Sequence, residues 1–310
     1  MTERMARVNG LDIAYETFGQ AEDPPLLLVM GLGAQMLLWE DELCRLLTDR
    51  GLFVIRFDNR DVGRSSKTPG PAPSVWRAFL GRRIAAAYTL DDLADDAIGL
   101  LDRLGIGAAH VVGASMGGMI AQMSAVRHPD RVLSLTSIMS TTGDRKVGRA
   151  RRLMLPLLLR RARPGREQNV ARAVRVFRAI GSPGFPFDEK AVTNLAGRSY
   201  DRCFHPVGVA HQLAAILASG DRTEALRGIR APTLVVHGTD DPLINVSGAR
   251  ATAQAIPDAQ LMLIPGMGHD LPRQLWPRLV DAICANADRA GERALRPASP
   301  AAGAGRAASR

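Results

Sequence analysis

The chain has 310 residues, is 46% hydrophobic and carries a formal charge of +9 with three cysteines. That supports a large buried core. Cys44, Cys203 and Cys284 lie too far apart for a metal set or a disulfide framework, which points to a reducing compartment. The net charge suggests a nucleic-acid binder, but residues 144–178 hold twelve basic and two acidic side chains, so the rest of the chain is near neutral. With no zinc-finger spacing and no RNP-like motif, no nucleic-acid partner is expected, since that reading rests on the net charge alone.

The start, MTERMARVNG, has no apolar core of a signal peptide. The longest apolar run, PPLLLVMGLGAQMLLW, is broken by glycines and is too short to span a membrane. A cytoplasmic protein is expected, with membrane association left to the basic segment.

RVNGLDIAYETFG alternates Val8, Leu11, Ile13 and Tyr15 around an Asn-Gly pair, a hairpin signal. Apolar strands then alternate with amphipathic helices. The strands are expected over 26–30, 53–58, 110–115 and 132–140; the helices run from Leu38 to Gly51, from Thr89 as N-cap to Gly105, and from the third of these strands to about His128. Residues 143–222 read as helical with no clear strand. Alternation resumes with strands 233–238 and 260–266, a helix near 247–256 and a last helix from about Leu271 to Asn286. The expected fold is α/β: a mostly parallel eight-stranded sheet with helices on both faces. Residues 1–142 and 223–288 form the core, 143–222 a helical insert and 289–310 a disordered tail, whose end LRPASPAAGAGRAASR has no hydrophobic face.

One stretch carries chemistry. HVVGASMGGMIAQ places Ser115 in Gly113-Ala114-Ser115-Met116-Gly117, a G-x-S-x-G between a strand and a helix. Small residues permit a sharp turn that lifts the hydroxyl to the carboxyl ends of the strands, where ligands of such sheets bind. A serine hydroxyl needs a base, and the motif sets the chain order serine, acid, histidine. Of the histidines after Ser115, His269 sits in PGMGHDLP, a glycine-rich loop after the last strand that can reach over the serine. His128 ends a helix, His205 and His211 fall in the insert, and His237 ends a strand. HGTDDPL offers the acid. Asp241, held extended before Pro242, is preferred, with Asp240 as the alternative. The oxyanion donors are expected to be the backbone N–H of Met116 and that of Leu32 in GLGAQ, with Gly31 second.

These motifs resemble the α/β-hydrolase superfamily, in its Ser-His-Asp esterase/lipase group, over residues 5–287. FDNRDVGRSS resembles that family's D-x-R-x-x-G-x-S loop and reads as structural support near the site. VMGLGAQMLLW, GASMGGMIAQ and PGMGHDLP are similar to mycobacterial lipase/esterases and, more distantly, to aclacinomycin methylesterases. The resemblance implies Ser115, Asp241 and His269 as the triad, a cap built from the insert, and no cofactor or metal. The mycobacterial likeness adds phospholipid and thioester substrates. Met30 departs from the histidine common before the oxyanion-loop glycine; backbone donors are unaffected, but the pocket wall changes.

The expected activity is hydrolysis of small-molecule or lipid esters through an acyl-enzyme. Thioester or C–C hydrolysis by the same triad is the alternative, and a non-catalytic binding protein is the more remote one. A serine at 115 speaks against dehalogenase and epoxide hydrolase chemistry, which would use an aspartate there. In the insert, Val170, Val174 and Phe177 share one helical face and Arg172, Arg175 and Arg178 another. Such a helix either lies on an anionic membrane or is a cap helix with a solvated outside, and the second is the usual state of a surface helix. Leu153, Leu157, Phe177, Phe185 and Phe187 suggest an apolar acyl pocket or a cap core. Oligomeric state stays open.

Overall fold

The computed structural model describes residues 2–74, 85–151, 154 and 164–294. Eight strands form one sheet: β1 (Arg4–Val8), β2 (Leu11–Phe18), β3 (Pro25–Val29), β4 (Phe53–Phe57), β5 (Ala109–Ala114), β6 (Val132–Ile138), β7 (Thr233–Gly238) and β8 (Gln260–Ile264). Their spatial order is β1-β2-β4-β3-β5-β6-β7-β8. β1 and β2 are antiparallel, β2 meets β4 antiparallel, and all remaining neighbours run parallel. The β1–β2 hairpin turns at Asn9 and Gly10, with φ of 49° and 79°. Two positive φ values make the turn whose twist suits paired strands.

The strands are apolar on both sides because both sides are covered. Leu27, Val29, Val111 and Leu135 join one core cluster with Leu90, Leu93, Met119 and Ile120 of the helices α2 (Leu90–Arg103) and α3 (Met116–Arg127). Their sheet neighbours Leu26, Leu28, Val112 and Val236 join a second cluster with Leu43 and Leu47 of α1 (Asp41–Thr48), and with Leu279 and Ile283 of the C-terminal helix (Trp276–Ala294). Period-two alternation sends successive residues to opposite layers. Each fully buried leucine contributes about 1.5–3 kcal/mol. α2 starts where its sequence signals it: the Thr89 N–H donates to Asp92 Oδ2 at 2.7 Å, which satisfies an otherwise orphaned donor.

Residues 164–226 supply four helices: α4 (Arg166–Ile180), α5 (Glu189–Arg202), α6 (Pro206–Ser219) and the single turn α7 (Thr223–Leu226). α8 (Ser247–Ala255) and the C-terminal helix, α9, complete the chain. Several boundaries differ from expectation: α1 spans Asp41–Thr48 rather than Leu38–Gly51, β8 ends at Ile264 and α9 begins at Trp276. β6 ends at Ile138 because Met139 turns to φ 43°. α9 runs past Asn286 to Ala294, so the tail cannot begin at 289; Arg289 is tied to the carbonyls of Thr233 and Asp258 at 3.3 and 3.0 Å. Residues 295–310 lie outside the described residues, as do Leu153 and Leu157. Among the described residues no helix is long and apolar enough to cross a membrane.

Candidate active site

Ser115 sits between β5 and α3 with φ 58° and ψ −119°, a region that non-glycine residues rarely enter. Its N–H donates to the Ile138 carbonyl at 2.9 Å, which holds the strained turn against the sheet. The flanking glycines are sterically required. A Cβ on Gly113 would lie 2.0 Å from the Gly117 carbonyl oxygen, and one on Gly117 would lie 2.1 Å from that of Val29. The strand can pass into a helix this abruptly because no side chain fills those gaps. The G-x-S-x-G pattern is thus a packing demand that also lifts the hydroxyl out of the backbone.

His269 and Asp241 come to this serine from loops after β8 and β7. His269 Nε2 lies 3.0 Å from Ser115 Oγ, and its Nδ1 lies 2.6 Å from Asp241 Oδ2. Asp241 is fully buried, while the His269 side chain keeps 9% exposure. The other oxygen of Asp241 accepts the N–H groups of Leu243 and Ile244 at 2.8 and 2.9 Å. The carboxylate is therefore fixed from both ends, and an acceptor so held keeps the imidazole in the tautomer with hydrogen on Nδ1. The His269 N–H donates to the Ile180 carbonyl at 2.7 Å, anchoring its loop to the end of α4.

Other candidates lie elsewhere. Asp240 turns away and accepts the Gly266 N–H at 3.0 Å, closing the loop after β8. His237 lies behind the acid: Nε2 donates to the Ile244 carbonyl at 2.7 Å and stands 3.5 Å from Asp241 Oδ2. Burial pushes this imidazole below its ordinary pKa, so it stays neutral. His128 pairs with Asp95, and His205 stands 4.0 Å from Asp61.

Met116, the first residue of α3, follows the serine directly. The loop after β3 runs alongside: a Cβ on Gly31 would lie 3.1 Å from Ser115 Cβ and 3.6 Å from its Oγ. Leu32 follows in a turn closed by the Ala34 N–H on the Gly31 carbonyl at 3.2 Å, with Gly33 at φ 67°.

The Asp58–Ser65 loop buttresses this wall. Asp58 accepts the N–H of Met36 at 2.8 Å, and Asn59 donates to the Met30 carbonyl at 2.9 Å. Asp58 also pairs with Arg202 of α5 at 2.6 Å, so the insert is tied to the same loop. Sequence reasoning missed two other ties. Gln212 of α6 reaches the loop after β3, and Ser182 reaches Asp270 and the Gly268 N–H beside His269. Neither residue stands in a motif that would single it out.

Phe185 and Phe187 line a cavity of about 380 Å³ with Arg151, Arg178, Asp240 and Asp270; Ser115 is not in its wall. The Arg178 guanidinium sits 4.7 Å above the Phe187 ring. These two aromatics thus line a space beside the acid loop, with Asp240, Pro242 and Asp270 in its wall.

A parallel sheet covered on both faces, with a serine on a sharp strand-to-helix turn, defines the α/β-hydrolase class. The chain belongs to the family described as alpha/beta hydrolase fold, whose sequence model matches residues 24–272. Among its relatives is the rhodomycin D methylesterase DauP of Streptomyces sp. (strain C5), 31% identical over 92% of this chain and 98% of that one. The 3-oxoadipate enol-lactonase 2 of Acinetobacter baylyi is 29% identical over 81% of this chain and 84% of that one. The solved enol-lactonase from Burkholderia xenovorans LB400 shares the fold with a TM-score of 0.72 at 21% identity, covering 92% of this chain and all of that one.

Proposed function

We propose that the protein is a serine hydrolase that cleaves carboxylic esters through an acyl-enzyme. The unbroken chain from Asp241 through His269 to Ser115, at 2.6 and 3.0 Å, is the observation that carries this reading. Ser115 Oγ bonds to the ester carbonyl carbon while its proton passes to His269 Nε2. The backbone N–H groups of Met116 and Leu32 take the charge that develops on the carbonyl oxygen. The intermediate collapses, the alcohol leaves with the proton held by His269, and water repeats the sequence to release the acid. Each oxyanion donor is worth about 10²–10³ in rate.

The substrate is a small-molecule ester, and residues 143–222 act as the cap over the site. Relatives named as a methylesterase and an enol-lactonase support an ester or lactone carbonyl over thioester or C–C hydrolysis. The test is hydrolysis of p-nitrophenyl esters from acetyl to palmitoyl, wild type beside Ser115→Ala. Turnover that disappears in the variant supports the reading, and inert wild type on every chain length overturns it. An optimum at short acyl chains marks a small-molecule esterase; an optimum at long chains marks a lipid substrate.

A second, finer reading concerns the basic insert. Arg166 pairs with Asp201 and Arg178 with Glu189, so these cations serve the insert's own packing. Arg145, Lys146, Arg149, Arg151 and Arg175 are exposed. That outward set fits peripheral contact with an anionic membrane. Arg152, Arg160 and Arg161, which belong to the same basic stretch, lie outside the described residues.

A further inference from the structure

The loop after β3 is held by the insert rather than by the sheet alone. Gln212 of α6 is completely buried. Its Oε1 accepts the Gly33 N–H at 2.8 Å, and its Nε2 donates to the Arg60 carbonyl at 2.9 Å. One carboxamide thus joins three segments: the cap helix, the loop beside Ser115 and the loop that buttresses it. Two residues further along, Gln35 is held by α5, donating to the carbonyls of Ser199 and Cys203 at 2.8 and 3.0 Å and accepting from Arg202 at 2.7 Å.

We infer that Gln212 is a positioning residue for the oxyanion hole. The inference rests on the hydrolase reading above, with Leu32 as second donor. Gly33 is the residue after that donor. Its φ of 67° places it where the peptide can flip easily, since glycine meets little steric resistance to either orientation. An accepted hydrogen bond from its N–H removes that freedom. With Gly33 committed to Gln212, its N–H is withdrawn from the hole in which Leu32 is the proposed donor. The Arg60 bond fixes the carboxamide's own rotamer, so oxygen and not nitrogen meets Gly33. Both bonds lie in a water-poor space, where a buried amide left unpaired is costly. The hole is therefore assembled when the cap is docked.

Both polar atoms of Gln212 are committed to Gly33 and Arg60 rather than to Ser115 or His269, so its effect is expected in kcat rather than in KM. The test compares wild type with Gln212→Met, which keeps the volume and removes both bonds, and with Gln212→Asn, which keeps the amide but is too short to span Gly33 and Arg60. Val209→Ala is the packing control, since Val209 touches Gly33 without a hydrogen bond: a Cβ there would lie 2.9 Å from its Cγ2. Each protein is assayed for p-nitrophenyl acetate turnover, for the rate of Ser115 phosphonylation by a fluorophosphonate, and for thermal stability. Both Gln212 variants should lose about 10–100-fold in kcat and in phosphonylation rate, with KM little changed. Val209→Ala should stay within about two-fold. Should Gln212→Met fail to fold, Gln212→Asn decides alone. Unchanged rates in a folded Gln212 variant, or an equal loss in Val209→Ala, would overturn the inference. Wild type that reacts neither with ester nor with fluorophosphonate would overturn the hydrolase reading and this inference with it, a result separable from the other two.

Discussion

Asp241 Oδ2 meets His269 Nδ1 at 2.6 Å, while the adjacent Asp240 carboxylate accepts the Gly266 N–H and never approaches the imidazole. One step along the chain separates the carboxylate proposed to orient the base from a carboxylate that closes a loop. Asp241→Asn should lower kcat by about 10⁴-fold, because the amide presents the wrong hydrogen-bonding partner to the imidazole. Asp240→Asn should leave kcat within a few-fold. Steady-state kinetics on one soluble ester distinguish the two, and equal losses would contradict the assignment.

The turn that carries Ser115 tolerates no side chain at its flanks. A methyl group at Gly117 would sit 2.1 Å from the Val29 oxygen and 2.6 Å from its carbonyl carbon, both backbone atoms that cannot swing aside. Gly117→Ala should cost about 3 kcal/mol in stability. Urea denaturation reads the loss directly, and an unchanged midpoint would show that the turn relaxes more freely than its geometry allows.

Asp270, next to His269, bonds to the Ser182 hydroxyl, and burial pushes its carboxyl above the ordinary value of 3.8. Below that value both folded and unfolded chains hold the proton. As pH rises from about 4 toward the raised folded value, the unfolded chain releases its proton first, so stability falls. Asp270→Asn removes this loss. The variant's stability relative to wild type should therefore grow on going from about pH 4 to neutrality. Urea midpoints of both proteins across that range check it, and a constant difference would contradict it.

The outward cations of the insert carry the membrane reading. Replacing the exposed Arg145, Lys146, Arg149, Arg151 and Arg175 with glutamine should weaken binding to phosphatidylserine vesicles by about 1 kcal/mol for each cation near the surface. Turnover of a soluble ester should be preserved. Co-sedimentation at low and high salt measures it, and unchanged binding would leave the insert as a cap with a solvated face.

Much of this arrangement was legible in the sequence. The period-two strands, the Asn9-Gly10 turn, the Thr89 helix start and the glycines around Ser115 are local signals, each set by steric or hydrogen-bonding demands within a few residues. They determine a parallel sheet and the place of one serine. The order of acid and base along the chain follows from loops at the strand ends. The rest depended on contacts between distant segments. Nothing near residue 212 announces that its carboxamide spans Gly33 and Arg60, because the largely apolar sequence PVGVAHQLAAILAS names no polar partner for its glutamine. The same holds for Ser182 beside Asp270, and for the choice between Asp240 and Asp241, where a small backbone rotation decides which carboxylate faces inward. Local sequence sets dihedral preferences and hydrophobic period. Only the packed molecule decides which polar groups must find one another once water is excluded.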